Sequence, residues 1–166
     1  MMLALINTGA WLAIHIVVVW AVTRLGADRF NLHGWLFRER RLEDGGMLYD
    51  RLFAVRSWKR RLPDGAALAK GGFKKKRLAS ADPAYLARFA LETCRGELAH
   101  WLPVAASPLF FLWNPPGAGL VNVALAALCH APFIIVQRHN RFRLSRRLAS
   151  TRRALALPAK HVEVMS

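Results

Sequence analysis

Residues 1–23, MMLALINTGAWLAIHIVVVWAVT, and residues 98–137, LAHWLPVAASPLFFLWNPPGAGLVNVALAALCHAPFIIVQ, contain no Lys, Arg, Asp or Glu. All 25 Lys and Arg residues of the chain lie between Arg24 and Lys160, outside both stretches. Met2 to Val22 is long enough to cross a bilayer core as a helix, which takes ~20 apolar residues. A cleaved signal peptide does not fit, because no Lys or Arg precedes the run, the run is too long, and no small-x-small cleavage site follows it. Basic residues begin just after it, at Arg24 and Arg29, which orients the N-terminus outside and the next segment in the cytoplasm. The second stretch is interrupted by Asn114-Pro115-Pro116-Gly117, a sequence that cannot continue a helix. It therefore reads as a helical hairpin, with spans over about Leu98–Trp113 and Ala118–Gln137. Pro103 and Pro108 mark the first of these as short, tilted or kinked.

The expected fold is an all-α, multi-pass membrane protein with about three transmembrane helices and amphipathic interfacial segments. A chain of 166 residues makes one domain at most. Its expected organisation is a first span over 1–23, a basic cytoplasmic interfacial segment over 24–97, the hairpin over 98–137 and a basic cytoplasmic tail over 138–166. Both basic segments then face one compartment, which places the protein in the cell membrane among lipid partners. The net charge of +15 is not read as nucleic-acid binding, because three spans tether the chain. Within 24–99, Trp35, Phe37, Tyr49, Leu52, Phe53, Val55 and Trp58 stand among charges, as in short helices lying on a membrane surface. Pro63-Asp64-Gly65 reads as a turn, and Gly71-Gly72 with Lys74-Lys75-Lys76-Arg77 as a basic loop. Asp82-Pro83 opens a helix, with Asp as cap and Pro at the first helical position. Cys94 and Cys129 show no metal or redox spacing and read as packing residues rather than a disulfide or a nucleophile.

Three segments could carry chemistry. In Glu92-Thr93-Cys94-Arg95-Gly96-Glu97-Leu98-Ala99-His100-Trp101, Glu97 and His100 are three residues apart and share a helix face. A carboxylate beside an imidazole orients the ring and raises its basicity, which suits a general base acting on a hydroxyl. The same stretch also fits an interfacial helix end, with His100 and Trp101 at headgroup depth and Glu92 satisfied by Arg88 and Arg95. A third reading, a di-iron Glu-x-x-His site, would need a second such motif and two further carboxylates, and no second copy exists. In Gln137-Arg138-His139-Asn140-Arg141-Phe142-Arg143, Arg138 and Arg141 could hold phosphates of an acyl donor and Asn140 could support an oxyanion. As an alternative, this segment is an anchor on anionic lipid. Trp58-Lys59-Arg60-Arg61 is a basic-aromatic surface segment. His15, on one face with Asn7 and Trp11, and His130 lie within spans and are functional candidates on that ground. Neither has a carboxylate in its own helix, which ranks both behind His100.

Together these segments resemble the glycosyl-4,4'-diaponeurosporenoate acyltransferase family of bacterial carotenoid biosynthesis. The likeness lies in Glu43-x-x-Gly46 continuing to Arg56-x-Trp58-Lys59 and Asp64-Gly65. It resumes in Glu92-Thr93-x-Arg95-x-Glu97-Leu98-x-His100-Trp101 and in Pro132-x-Ile134-Ile135-Val136-Gln137-Arg138-x-Asn140-Arg141-x-Arg143-Leu144. His130 departs from the family pattern, which has Asn there. The His-x-x-x-x-Asp signature of glycerolipid acyltransferases is absent. The resemblance implies an enzyme that esterifies a fatty acid onto the sugar of a glycosylated carotenoid or related glycolipid. No bound cofactor is expected, and acyl-CoA or another acyl thioester would be the donor. The expected catalytic residues are His100, Glu97, Arg95 and Asn140; the expected substrate-binding residues are Glu92, Trp58, Lys59, Trp101, Gln137, Arg138 and Arg141. The rival from another class is a non-catalytic lipid-binding or scaffold subunit.

Overall fold

In the computed structural model, which describes residues 1–62 and 80–156, all regular structure among the described residues is helical. The long elements are α1 (Met2–Arg24), α4 (Pro83–Ala106) and α5 (Pro116–Ala156); α2 (Met47–Phe53) and α3 (Val55–Trp58) are short. Short 3-10 segments of one or two turns lie at Ala27–Arg29, Arg41–Gly46, Lys59–Arg61 and Ser107–Leu112. The expected turn at 63–65, the basic loop at 71–77 and the end of the tail beyond 156 lie outside the described residues.

Two boundaries drawn from the sequence are not breaks. The capping expected at Asp82 is present, its carboxylate accepting from Tyr85 N–H at 2.8 Å. From there α4 runs without interruption through residue 98 to Ala106, with Pro103 inside it, and then tightens into the 3-10 segment. Interfacial segment and first arm of the hairpin are therefore one helix. Likewise α5 carries on past Gln137 for five more turns, so much of the basic tail is helical. α1 and α5 are long and apolar enough to cross a membrane. The Leu98–Trp113 arm does not form a helix of this kind. The helix that contains it also carries Arg88, Glu92, Arg95 and Glu97, and its last apolar turns are 3-10.

The core lies at the charged end of the bundle. Leu86, Phe89 and Ala90 of α4 bury against Leu144 of α5, with Leu32, Tyr85 and Leu148 packed around them. Tyr49 of α2 and Val55 of α3 bury with Phe142, flanked by Trp58, Ile135 and Val136. The apolar lengths are bare by comparison. Leu5 and Leu12 on α1 are 68% and 62% exposed, and Leu120 and Leu128 on α5 are 62% and 71% exposed. A contiguous apolar surface of this extent calls for a lipid or protein covering.

A polar seam holds α1 to the start of α5. Asn7 and Asn114 exchange amide hydrogen bonds at 3.0 and 2.9 Å, and Trp113 Nε1 donates to Asn7 Oδ1 at 2.8 Å. One helical turn on, Trp11 Nε1 donates to Asn122 Oδ1 at 2.9 Å. Trp11 also stacks on Phe110, with ring centroids 4.6 Å apart. Asn7, Trp11 and His15 recur every four residues and so line one stripe of α1. Hydrogen bonds of this kind hold helices together where no hydrophobic driving force between them exists.

Candidate active site

Glu97 sits where α4 crosses the charged half of α5, and it is fully buried. Its Oε1 accepts from Arg138 Nη1 at 2.9 Å and from Trp101 Nε1 at 3.1 Å. Its Oε2 lies 2.6 Å from Arg141 Nη2, an ion pair whose geometry is off the line of a hydrogen bond. Sequence reasoning expected this carboxylate to orient His100. In the structure, both oxygens are instead engaged by two guanidiniums and an indole.

Arg138 is the hub of this end of the molecule. Nε donates to Glu43 Oε1 at 2.7 Å and to the Tyr49 hydroxyl at 3.1 Å. Nη1 also reaches the Leu36 carbonyl at 2.9 Å, and Nη2 reaches Glu43 Oε2 at 3.1 Å and the Arg38 carbonyl at 3.2 Å. A guanidinium has five N–H donors, and all five are directed at protein acceptors. Arg138 therefore has no donor left for a phosphate, contrary to the sequence expectation. It instead ties the 36–49 segment to α4 and α5. Arg141 is 1% exposed and donates Nε to the Phe37 carbonyl at 3.2 Å. It packs against the rings of Phe37 and Phe142, and its Nη1 has no hydrogen-bond partner among the described residues. Full burial makes it an unsuitable anchor for a solvated phosphate as well.

Glu43 was legible only as part of a motif. Burial alone would raise its carboxyl, but bonds from Arg138, Tyr49 and the Arg40 N–H outweigh that and hold it below the usual carboxylate range. Burial, together with donation to Glu43, pushes the Tyr49 phenol well above its ordinary value. Opposed by its own burial, Arg138 is still held more firmly protonated by Glu43 and Glu97. Gly46 explains the Gly of the motif. Its φ is +89°, and a Cβ there would lie 3.2 Å from the His139 carbonyl oxygen, so the loop meets α5 backbone to backbone.

His100, three residues along α4 from Glu97, meets α5 at His130, nearer the apolar half. Its Nδ1 lies 3.1 Å from His130 Nδ1, and its ring stacks on Phe133 at 4.5 Å. His130 in turn stacks on His15, with centroids 5.5 Å apart. The three histidines come from α4, α5 and α1 and meet where the helices converge. His15 and His130 lack a carboxylate in their own helices, and their partners stand across helices. The signal that could have found them is the Asn7–Trp11–His15 stripe, which had to face a partner helix. The contact between two Nδ1 atoms requires one ring to donate and the other to accept, so a proton is held between them.

The remaining expected residues fall into separate groups. Arg95 pairs with Glu92 at 2.5 Å and donates to the Leu25 carbonyl at 3.2 Å, closing the end of α1 onto α4. Lys59 donates to Asn140 Oδ1 at 2.9 Å, and Trp58 Nε1 to the Phe53 carbonyl at 2.6 Å. Gln137 Oε1 is buried with no partner among the described residues. Buried His139 lies 3.1 Å by Nε2 from Asp50 Oδ2. Burial lowers His139 more than Asp50 raises it, so the imidazole is neutral near pH 7 and donates to Asp50 from Nε2. Asp50, whose burial alone would raise it, is lowered by that bond and by Arg56. Cys94 is fully buried, and burial pushes its thiol up to about 11. No three His, Cys, Asp or Glu side chains among the described residues are grouped to hold a metal ion.

Residues 33–150 match the family model described as glycosyl-4,4'-diaponeurosporenoate acyltransferase. Proteins of that name from Staphylococcus aureus strains bovine RF122 / ET3-1, MRSA252 and USA300 are each 28% identical to this chain. The alignments extend over 143 residues and cover 86% of this chain and 86% of each relative. No solved structure matches. The chain belongs to the glycosyl-4,4'-diaponeurosporenoate acyltransferase family and is an acyltransferase.

Proposed function

We propose that this protein transfers a fatty acyl group from a thioester donor to a sugar hydroxyl of a glycosylated carotenoid or related glycolipid. The reaction takes place at the cytoplasmic face of the cell membrane. The observation that carries this reading is the position of His100, between the charged frame and the bare apolar lengths of α1 and α5. An amphiphilic acceptor would lay its apolar tail along those helices, covered with them by lipid, and bring its polar end to the imidazole. The cytoplasmic assignment is supported by the basic residues that follow the apolar lengths of α1 and α5, which the positive-inside rule puts in the cytoplasm.

His100 takes the hydroxyl proton as the oxygen attacks the thioester carbonyl. The tetrahedral intermediate collapses, the C–S bond breaks, and the departing thiolate takes the proton back from the imidazolium. His130, through its Nδ1, sets which nitrogen of His100 carries the proton before the reaction starts. Glu97, Arg138 and Arg141 act as positioning residues. By fixing α4 against α5 they hold His100 opposite His130, while Asn140 is held by Lys59 close to the frame.

The test uses membranes containing the protein, a glycosylated carotenoid and a labelled acyl thioester, with mass spectrometry to detect the acylated sugar. General-base catalysis contributes roughly 10²–10⁴-fold, so His100→Gln is expected to lower turnover by that factor in protein that still inserts. Full activity in that variant would remove His100 from the mechanism.

A further inference from the structure

We infer that the depression between the Gly45–Met47 turn and α5 is a phosphate-binding site for the donor, lined by Arg56, Arg143 and Arg146. This inference rests on the acyl-transfer reading and moves its anion site away from Arg138 and Arg141. The depression has a volume of ≈ 160 Å³, and Gly45, Gly46, Met47 and Asp50 complete its lining. His139, Arg143 and Arg146 follow one another at four- and three-residue steps, so one face of α5 presents them toward the turn.

Its charges are only partly matched. Asp50 takes Arg56 at 2.7 Å, and Asp44 takes Arg146 at 3.1 Å. Arg143 is exposed and has no ion-pair partner among the described residues. It also bears on Lys59, which is depressed first by its own burial and then by the Arg143 charge. An exposed arginine with no carboxylate partner at the rim of a basic depression is a place that an anion relieves. Gly45 contributes by absence of a side chain, since a Cβ there would fall on the Arg146 guanidinium. Arginine forks suit the tetrahedral oxygens of phosphate.

The spacing selects the kind of carrier. Arg143 lies thirteen residues along α5 from His130, the level at which His100 stands. At the rise of an α-helix that is roughly 20 Å. A phosphate held at Arg143 and a thioester at His100 must therefore be joined by a long extended arm. A short acyl phosphate cannot span the gap, whereas a thiol carrier on a long phosphorylated arm can.

The same phosphate chemistry could come from a lipid headgroup, and the experiment separates the two. The full chain is placed in nanodiscs of neutral phosphatidylcholine, and binding of coenzyme A, the probe, is measured by calorimetry. This needs no turnover, so it stands apart from the acyl-transfer reading, which fails on its own if no acylated sugar forms. Saturable binding weakened about tenfold by Arg143→Gln, and unchanged by Arg152→Gln on the opposite, exposed side of α5, supports a donor phosphate. In that case Arg143→Gln also raises KM for an acyl-coenzyme A and leaves kcat, and the kinetics with an acyl-pantetheine lacking phosphate, unchanged. If Arg143→Gln instead weakens only phosphatidic acid binding in discs doped with that lipid, the phosphate belongs to a headgroup and the donor assignment is overturned. If it alters neither, there is no phosphate site.

Discussion

Replacing Glu97 with Gln separates two roles for the most buried carboxylate among the described residues. If Glu97 serves only to orient His100, the substitution removes activity and leaves the fold intact. The geometry predicts a structural loss first. Gln has nearly the same shape, so no cavity opens, and its carbonyl can still accept from Arg138 Nη1 and Trp101 Nε1, which meet Oε1 now. Its amide then points at Arg141 Nη2, which stands 2.6 Å from Oε2, so donor meets donor. Arg138 keeps Glu43 as a counter-ion. Arg141, at 1% exposure, has Glu97 as its sole carboxylate partner among the described residues. An uncompensated buried charge costs about 3–5 kcal/mol, and each kcal/mol lowers the midpoint by about 2–4 °C at this chain length. Thermal unfolding in detergent, followed by tryptophan fluorescence, should show a fall of roughly 6–20 °C. Pairing the change with Arg141→Met removes the stranded charge and should recover most of the loss, giving a coupling of at least about 2 kcal/mol in the double-mutant cycle. An unchanged midpoint with lost acyl transfer would refute this reasoning and return Glu97 to the role of partner to His100.

Two further predictions concern titration and thiol chemistry. His139 is depressed in the folded state, so below its unfolded value of about 6.5 the unfolded chain binds a proton that the folded chain resists. Stability is therefore full above about pH 6.5 and declines as pH falls, with a further decline below the carboxylate range as depressed Glu43 and Asp50 are forced to protonate. Denaturation midpoints measured from pH 8 to 2 should show both steps, and His139→Gln should abolish the upper one alone; a flat profile down to pH 5 in the parent protein counts against a buried neutral imidazole. Cys94, with its thiol near 11 and no exposed surface, should react with a maleimide only on unfolding. Rapid labelling of Cys94 in active protein, read by peptide mass spectrometry in a Cys129→Ala background, would show that α4 opens at this position.

What the sequence made legible follows from which forces act locally. The apolar stretches and the proline break set α1, the interruption ahead of Pro116 and α5, and Asp82-Pro83 set the start of α4, because capping, helix breaking and hydropathy are properties of neighbouring residues. Long-range pairing is not such a property. Arg138 reads as a free cation when only residues 137–143 are considered. In the fold, Glu43, Tyr49 and two carbonyls, all about a hundred positions earlier, consume its donors. The same limit hid the cross-helix partner of His100. Glu97 is three residues away on the same helix face, yet the imidazole that reaches His100 Nδ1 stands thirty residues on in another helix. Where a chain buries its ions at one end and leaves its apolar lengths bare, the polar residues within those lengths are the ones that must find partners across helices. Asn7, Trp11 and His15 each do so, at Asn114, Asn122 and His130. A polar stripe on an apolar helix with no carboxylate of its own is thus a pointer to a partner helix, and here that stripe leads to the imidazoles of the proposed reaction centre.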